Sequence, residues 1–482
     1  MKRRDFILGA STVAATSIIN RSSFGNNYPY DVAIIGAGLS GLNAAQILED
    51  QGLKIIVIEA NGRVGGKLLT TKSLDGNQEI GGTSIGSGYE RLIKVIDKYK
   101  LKPYSPGKNN PYFGNRAIAM HLNNTLISTR DNWEKSKQNP FPSNLKRQYP
   151  WERLRYIVND LNPLSETTDW YNPLYSKYDI SLHKALQGYG LKDDEIRLIA
   201  GINPSHGNGA KDISILQYFF SSSWVSDQGK KMDKSKPGVF QILGGNSLIP
   251  QHMAASLKGD LILNTKINNL KSYNQGVRLS SESGMKIDAK TVITSIPLTA
   301  LSNIEIETPI IDHDRLTAIN NVGYSKVYLI YFKILRPFWE YDELPLTYWT
   351  DTHIGRIFTV PGGDSNPAYI KTWTTGSNTA FLDKMSPSQT AEYILKQLIL
   401  LRPSLKNAIE PALSWSWQNQ TTAGGTYVAW QPGEIKQFAN IVAKPIPPLF
   451  FAGEYTAKTD RGMEGAMESG ERAAAEVINY LG

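Results

Sequence analysis

The sequence predicts an α/β fold, and three features near its amino terminus support this. Tyr30–Ile35 has the pattern of a buried strand, a glycine-rich turn follows it, and residues 42–49 have the composition of a helix. Residues 54–58 have the pattern of a second strand. Strand, helix and strand in this order form a βαβ unit, whose two strands lie parallel in one sheet. With 482 residues, 41% of them hydrophobic, the chain is long enough for two or more folding units.

The composition excludes several kinds of site. The chain has no cysteine, which excludes a disulfide scaffold, a Cys-ligated zinc or iron–sulfur site, thiol catalysis and a cysteinyl link to a cofactor. A net charge of +8 is modest for this length and assigns no nucleic-acid partner. The six histidines have no metal-ligand spacing, so no metal site is predicted.

The first residues resemble an export signal. Arg3 and Arg4 precede a short apolar run from Ile7 to Ile19, a pattern typical of twin-arginine signals; a disordered basic start is the alternative. The run is shorter than the about 20 residues of a membrane-spanning helix, so we expect no stable membrane anchor. We therefore predict a signal peptide over residues 1–27, the twin-arginine export machinery as a partner, and a periplasmic or otherwise exported protein.

The glycine-rich turn after the first strand predicts a dinucleotide site. Gly36 permits the tight turn, Gly38 lets the backbone approach a pyrophosphate, and Gly41 lets helix and strand pack closely. The amino terminus of the helix offers N–H groups to the phosphates. Glu59, at the end of the second strand, is expected to accept hydrogen bonds from ribose hydroxyls.

A second glycine-rich turn carries the resemblance to a known family. Residues 59–67 read E-A-N-G-R-V-G-G-K, similar to the E-A-x-x-R-x-G-G-R pattern of the flavin-containing amine oxidase family, which includes monoamine oxidases and L-amino-acid oxidases. The resemblance implies a bacterial member with a Rossmann-like FAD-binding domain and an interleaved substrate domain. Lys67 replaces the final Arg, which keeps a cation but loses the bidentate fork. The residues of this turn predicted to bind FAD are Ala60, Arg63, Gly65, Gly66 and Lys67.

Later segments match the same family. Residues 79–86 resemble the small-residue stretch beside the flavin ring, and residues 242–250 resemble its GG-x-x-x-x-P turn. Near the carboxyl terminus, an apolar strand ends in Gly-Glu, and a helix starts soon after it, whose amino terminus suits the charge of a reduced flavin. By this resemblance, further FAD contacts are expected from Gly82, Thr83, Ser84, Ile267, Gly453, Glu454, Gly462, Met463 and Ala466.

Two residues are expected near the chemistry. Lys326 falls where many amine oxidases place a lysine that reaches the flavin N5 through water, and Tyr427 matches one wall of the family's aromatic cage. Thr426 stands at the position of the flavin-linking Cys of monoamine oxidases, so FAD is expected to be held without a covalent bond. The other cage wall is absent, because Gly462 stands at its position.

The substrate is an amine or an amino acid. Many L-amino-acid oxidases clamp the substrate carboxylate with an Arg, but the corresponding position here is Ser84, which slightly favours an amine. Arg91, Arg116 or another residue remains open as a replacement. His206 lies in the predicted substrate domain and is a further site candidate.

These expectations define the predicted domains and activity. The FAD-binding domain comprises residues 28–85, 235–300 and 410–482, and the α+β substrate domain comprises residues 86–234 and 301–409. The predicted reaction passes a hydride from the amine α-carbon to flavin N5, and dioxygen or another acceptor reoxidises the flavin. The alternatives are an L-amino-acid oxidase and a non-catalytic binder that keeps the FAD fold.

Overall fold

Two large sheets organise the chain. The computed structural model describes residues 28–105, 118–273, 276–308, 311–364 and 366–482, so the predicted signal peptide lies outside the described residues. The strands of the described residues are β1 (Tyr30–Ile35), β2 (Ile55–Ile58), β3 (Ile85–Gly86), β4 (Pro103–Tyr104), β5 (Ile118–Leu122), β6 (Thr125–Ile127), β7 (Val239–Ile242), β8 (Asp260–Ile262), β9 (Ile267–Tyr273), β10 (Gly276–Ser281), β11 (Lys286–Thr294), β12 (Glu305–Glu307), β13 (Gly323–Tyr324), β14 (Val327–Ile334), β15 (Thr347–Thr350), β16 (Arg356–Pro361), β17 (Pro367–Thr375), β18 (Ile409–Ser416), β19 (Val428–Ala429) and β20 (Leu449–Phe451).

The helices belong to both parts of the fold. In chain order they are α1 (Leu39–Asp50), α2 (Glu90–Lys98), α3 (Arg130–Lys135), α4 (Pro150–Leu161), α5 (Leu182–Gly188), α6 (Asp193–Ile196), α7 (Ile215–Lys231), α8 (Leu248–Ala255), α9 (Leu298–Leu301), α10 (His313–Asn321), α11 (Thr379–Leu382), α12 (Pro387–Leu401), α13 (Glu434–Ala443) and α14 (Gly462–Leu481).

The first sheet contains the predicted βαβ unit. Strands β20, β11, β1, β2 and β8 run parallel in that spatial order, and β10, β9 and β12 extend the sheet beyond β11. The strands β1 and β2 are almost entirely buried, as expected for a parallel sheet covered on both faces. This arrangement confirms the predicted α/β class and the Rossmann-like unit.

Helices α1 and α14 cover one face of this sheet and lie in close contact. The side chain of Asn43 donates to the carbonyl oxygen of Met467 over 2.8 Å. A Cβ added at Gly470 would lie 2.3 Å from the carbonyl oxygen of Ser40, so only glycine permits this approach. The first and the last helix therefore hold the two ends of the nucleotide-binding part together.

The second sheet has seven strands, in the order β18, β14, β17, β16, β15, β5 and β6. Its neighbours are antiparallel except for β15 and β5, which are parallel. Helix α12 packs its buried residues Ile394 and Leu398 in one cluster with Ile330 and Phe332 of β14.

The sheets differ from the sequence-based boundaries at three places. Strand β12 lies beyond the predicted boundary at residue 300 yet pairs with β9. Strand β18 lies almost wholly inside the predicted segment 410–482 yet pairs with β14 of the second sheet. The apolar pattern of residues 261–267 predicts a single strand, but these residues are the end of β8, a connection and the first residue of β9. Short strands carry too few residues for their partners to be read from their pattern, and the division into two domains itself stays a prediction.

In the part of the chain that the structure describes, no helix has the length and apolar composition needed to cross a membrane. The same described residues contain no group of three or more His, Asp or Glu side chains placed to hold a metal ion.

Candidate functional site

A cavity of about 500 Å³ lies between the two sheets. That volume falls within the range of cofactor sites. The cavity brings together predicted site residues that are far apart in the sequence, from the first glycine turn to the start of α14. The predicted residues that line it are Gly36, Gly38, Glu59, Ala60, Arg63, Gly65, Gly66, Lys67, Gly82, Thr83, Ser84, Ile267, Tyr427, Gly453, Glu454, Gly462, Met463 and Ala466.

The first glycine turn forms a cradle of main chain at one end of this cavity. Gly36 has a φ of +105°, and Gly38 precedes the first residue of α1. Gly41 does not line the cavity, contrary to its prediction as a cofactor contact. A Cβ on Gly41 would lie 2.1 Å from the carbonyl oxygen of Gly36, so its place is in the packing that keeps the turn tight.

Glu59 retains capacity for a hydroxyl ligand. Its buried carboxylate accepts from the backbone N–H of Ala37 over 2.9 Å, and from the backbone and side chain of Asn61 over 2.9 and 2.6 Å. A carboxylate has about four lone-pair sites, so these three bonds leave one for a ligand. The residue also lines the cavity, which fits an acceptor for a ribose hydroxyl.

The second glycine turn is tied to the first. The N–H of Gly65 donates to the carbonyl oxygen of Ala37 over 2.7 Å, and the Arg63 guanidinium donates to the carbonyl oxygen of Gly66 over 2.9 Å. Burial lowers the pKa of Arg63, and the charge of Glu59 opposes that shift. The guanidinium keeps further N–H groups for a phosphate.

Lys67 and Glu454 are two ionisable residues that line the cavity. Burial lowers the pKa of Lys67, with Glu454 opposing the shift, and burial raises the pKa of Glu454. The Lys67 ammonium lies 4.0 Å from the ring centroid of Tyr324. No ion pair within 4.0 Å joins either group to another described residue. Ionisable groups that line a cavity without such a partner fit a polar ligand.

The segment beside the predicted flavin ring is held by the turn at residues 244–246. The Asn246 side chain donates to the carbonyl oxygens of Gly82 and Thr83 over 2.9 and 3.0 Å. A Cβ on Gly82 would lie 2.9 Å from Leu68 and 3.0 Å from Met463, so the main chain lies close to both. The two family motifs thus act as one structural unit.

Aromatic side chains form another part of the cavity lining. Tyr427 lines the cavity, as predicted, and its hydroxyl donates to the carbonyl oxygen of Ser205. The sequence analysis missed the tryptophans of this wall. The alternation of Trp415 and Trp417 at the end of β18 is a signal that would have found two of them, because alternate strand residues face one side. The missed aromatic residues are Tyr324, Trp373, Trp415 and Trp417.

The second cage wall is open space. Gly462 has a φ of +59°, and a Cβ built on it would meet no atom within 4 Å. Its neighbour Arg461 lies against Tyr427, with 5.9 Å between the guanidinium carbon and the ring centroid. His206 packs edge-on against the same ring at 5.5 Å. The structure thus brings His206, a candidate from the sequence, next to Tyr427.

The prediction for Lys326 is corrected. Its side chain does not line the cavity, whereas that of the next residue, Val327, does. Val327 packs with Ile80 and Trp417 on the cavity side of β14. Lys326 lies in the connection between β13 and β14 and has no part in the lining of this site.

The candidates for a carboxylate clamp also have defined places. Ser84 lines the cavity, whereas Arg91 pairs with Asp460, Glu464 and Glu471 over 3.1, 3.4 and 2.6 Å. Three carboxylates therefore occupy Arg91. Arg116 lies outside the described residues.

Comparisons with known proteins agree with this site. The family described as flavin containing amine oxidoreductase matches residues 39–478. The flavin-containing amine oxidase B of Rattus norvegicus is 24% identical over 94% of this chain and 86% of its own length. A putrescine oxidase bound to putrescine has a TM-score of 0.73 at 21% identity, covering 93% of this chain and 99% of its own. Cyclohexylamine oxidase from Brevibacterium oxydans has a TM-score of 0.74 at 19% identity, covering 94% and 99%.

Proposed function

The chain belongs to the flavin containing amine oxidoreductase family, and from this premise we propose that it oxidises the C–N bond of an amine with a non-covalently bound FAD. As a member it is a flavin-dependent oxidoreductase that acts on CH–NH or CH–NH2 groups. The observation that carries the proposal is the single cavity where the glycine turns, Glu59 and the aromatic wall meet.

FAD supplies the electron acceptor of the proposed reaction. When bound, it would supply N5 as the acceptor for a hydride from the α-carbon of the neutral amine. The resulting imine is hydrolysed in water to an aldehyde or ketone and ammonia or a smaller amine. Dioxygen or another acceptor then takes up the electrons.

The protein residues would bind FAD, orient the amine and exclude water. The main chain at Gly36 and Gly38 and the guanidinium of Arg63 would hold the phosphates, and Glu59 would accept from the ribose. Tyr427 would orient the amine with its ring, and the tryptophan wall would keep water from the reacting carbon. No nucleophilic side chain is needed.

The sequence of the chain supports non-covalent binding of FAD. Thr426 lines the cavity, and its hydroxyl donates to the carbonyl oxygen of Ser325 over 2.9 Å. A threonine offers no thiol for a thioether bond, and the chain contains no cysteine.

Anaerobic reduction by a panel of amines and amino acids tests this proposal. The purified protein should be yellow, and at least one member of the panel should bleach the visible band of its flavin. A colourless protein would contradict the flavoenzyme. A flavin that no amine or amino acid bleaches would favour the non-catalytic binder.

The amino terminus supports a proposal on location. Arg3, Arg4 and the apolar run up to Ile19 would direct the folded, FAD-loaded protein through the twin-arginine route. Replacing both arginines by lysine should leave the protein in the cytoplasm, and fractionation of cells measures this directly. Unchanged export of the double variant would overturn the assignment.

A further inference from the structure

Arg461 is a cation beside the cavity that forms no ion pair with an acidic side chain of the described residues. Its guanidinium donates one hydrogen bond, from Nη1 to the hydroxyl oxygen of Ser221 over 2.7 Å. Among the residues that the structure describes, no carboxylate lies within 4.0 Å of it. Arg91, by contrast, forms ion pairs with Asp460 and Glu464, two acidic residues close to Arg461 in the sequence. The acids nearest in sequence are thus already engaged, while Arg461 keeps most of its donors.

Arg461 does not itself line the cavity, but it lies beside two residues that do, Gly462 and Tyr427. It immediately precedes Gly462, which lines the cavity and leaves open space where the family has an aromatic wall. Its guanidinium carbon lies 5.9 Å from the ring centroid of Tyr427 and 5.6 Å from that of Trp224. The two rings hold the planar guanidinium in place, so less conformational freedom is lost when it binds a ligand.

The groups around Arg461 do not neutralise it. Burial, together with the charge of Arg461, holds the pKa of His206 well below its usual range, so this imidazole is neutral. Its Nε2 lies 3.2 Å from the same Ser221 hydroxyl. Glu454 is close enough for the positive charge of Arg461 to lower its pKa, but burial and Lys67 act on it more strongly.

We propose that Arg461 binds the carboxylate of the substrate, so that the enzyme acts on amino acids in preference to simple amines. An unpaired guanidinium matches a carboxylate in a two-bond fork, and the space at Gly462 leaves room for the group beside Tyr427. This inference rests on the proposed function and narrows its substrate class. It also gives the site the clamp that Ser84 lacks and that Arg91 cannot provide.

The chemistry is unchanged by the clamp. The α C–H bond of the amino acid breaks, its electron pair passes to the flavin as hydride, and a C=N bond forms. Water adds to that imine and the C–N bond breaks, giving a 2-oxo acid and ammonia. The carboxylate stays on Arg461 and takes no part in the electron balance.

The test compares the holoenzyme with the variant Arg461→Met. Each protein is reduced anaerobically by an amino acid and by the matching amine without the carboxylate, such as phenylalanine and phenethylamine. Both enantiomers of each chiral compound are used. Flavin absorbance gives a dissociation constant and a limiting rate for each compound. We expect the wild type to prefer the amino acid. The variant should bind the amino acid roughly 10- to 100-fold more weakly, because it loses hydrogen bonds to a charged group. Phenethylamine binding should change less than about threefold, within the scatter of surface substitutions.

Two further variants and one binding measurement complete the design. Arg461→Lys keeps the charge without the fork and should lose less affinity for the amino acid. Arg336→Met removes one surface cation as a control and should leave the preference unchanged. Benzoate, a carboxylate without an amine, should perturb the wild-type flavin spectrum and not that of Arg461→Met.

The outcomes separate this inference from the proposed function. If the wild type is reduced by amines but by no amino acid, the clamp is wrong while the amine oxidase stands. The same conclusion follows if Arg461→Met weakens both members of each pair equally, because that is the behaviour of a structural residue. If nothing reduces the flavin, the proposed function itself fails.

Discussion

At the scale of single residues, two glycines of the first turn have separable effects. A Cβ on Gly41 would lie 2.1 Å from the carbonyl oxygen of Gly36, whereas a Cβ on Gly38 would meet no atom within 4 Å. Gly38 also has a φ of −78°, which suits alanine. Gly41→Ala should therefore lower the free energy of unfolding by about 2 kcal/mol.

Gly38→Ala is the matched variant for the cofactor. Its free energy of unfolding without FAD should stay within about 0.5 kcal/mol of the wild type, since the backbone accepts the side chain. Its FAD affinity should fall roughly tenfold, because the methyl group meets the pyrophosphate. Denaturant titration and flavin titration measure the two effects. Equal FAD affinity in Gly38→Ala would show that the phosphates lie elsewhere.

A second residue-scale prediction concerns Glu79, which is buried behind the flavin segment. Burial raises the pKa of Glu79 to about 8, and hydrogen bonds from Asn246 and Thr70 oppose the shift. The folded state thus keeps a proton that the unfolded chain releases above about pH 4.5. The free energy of unfolding therefore falls as the pH rises from about 4.5 towards 8.

Glu79→Gln should remove this decrease of the free energy of unfolding with rising pH. Relative to the wild type, the variant should gain more than about 1 kcal/mol of unfolding free energy between about pH 5 and 7. The nearby Lys371, whose pKa burial lowers to about 7, contributes its own slope mainly above that interval. Urea titrations at several pH values measure the difference, with the exposed Glu392→Gln as the control. A constant difference across the interval would mean that Glu79 is charged in the folded state.

At the scale of elements, the contact between α1 and α14 depends on Gly470. Gly470→Ala should cost roughly 1–3 kcal/mol, because its Cβ would press on the backbone of Ser40 and no flexible side chain can move away. Gly188→Ala, in α5, is the matched control, because its Cβ would meet no atom within 4 Å. Thermal unfolding should separate the two variants. Equal melting temperatures would mean that the helices can move apart at no cost.

The elements also show how far the sequence alone predicts the site. The glycine turns and Glu59 were predictable, because a short contiguous motif fixes both the backbone and the ligand chemistry. The place of Lys326 was not, since it lies in the connection between β13 and β14, where no regular pattern gives the direction of a side chain. Arg461 escaped notice because its lack of an acidic partner is a property of the packed structure.

At the scale of the whole molecule, the site exists because the two sheets meet. The first sheet brings the nucleotide-binding turns, and the second brings Val327, Trp373 and Trp415 to the same cavity. Sequence patterns predicted the first sheet well, because its motifs are local. The strand pairing of the second sheet connects residues far apart in the chain, and no local pattern encodes it.

The most direct test of the central claim is the flavin content of the purified protein before and after denaturation. We predict about one FAD per chain in the native protein, since one cavity collects the predicted contacts. All of it should appear in the supernatant after acid precipitation, because Thr426 offers no thiol to retain it. Flavin that stays with the precipitated chain, or a native protein without flavin, would contradict the account.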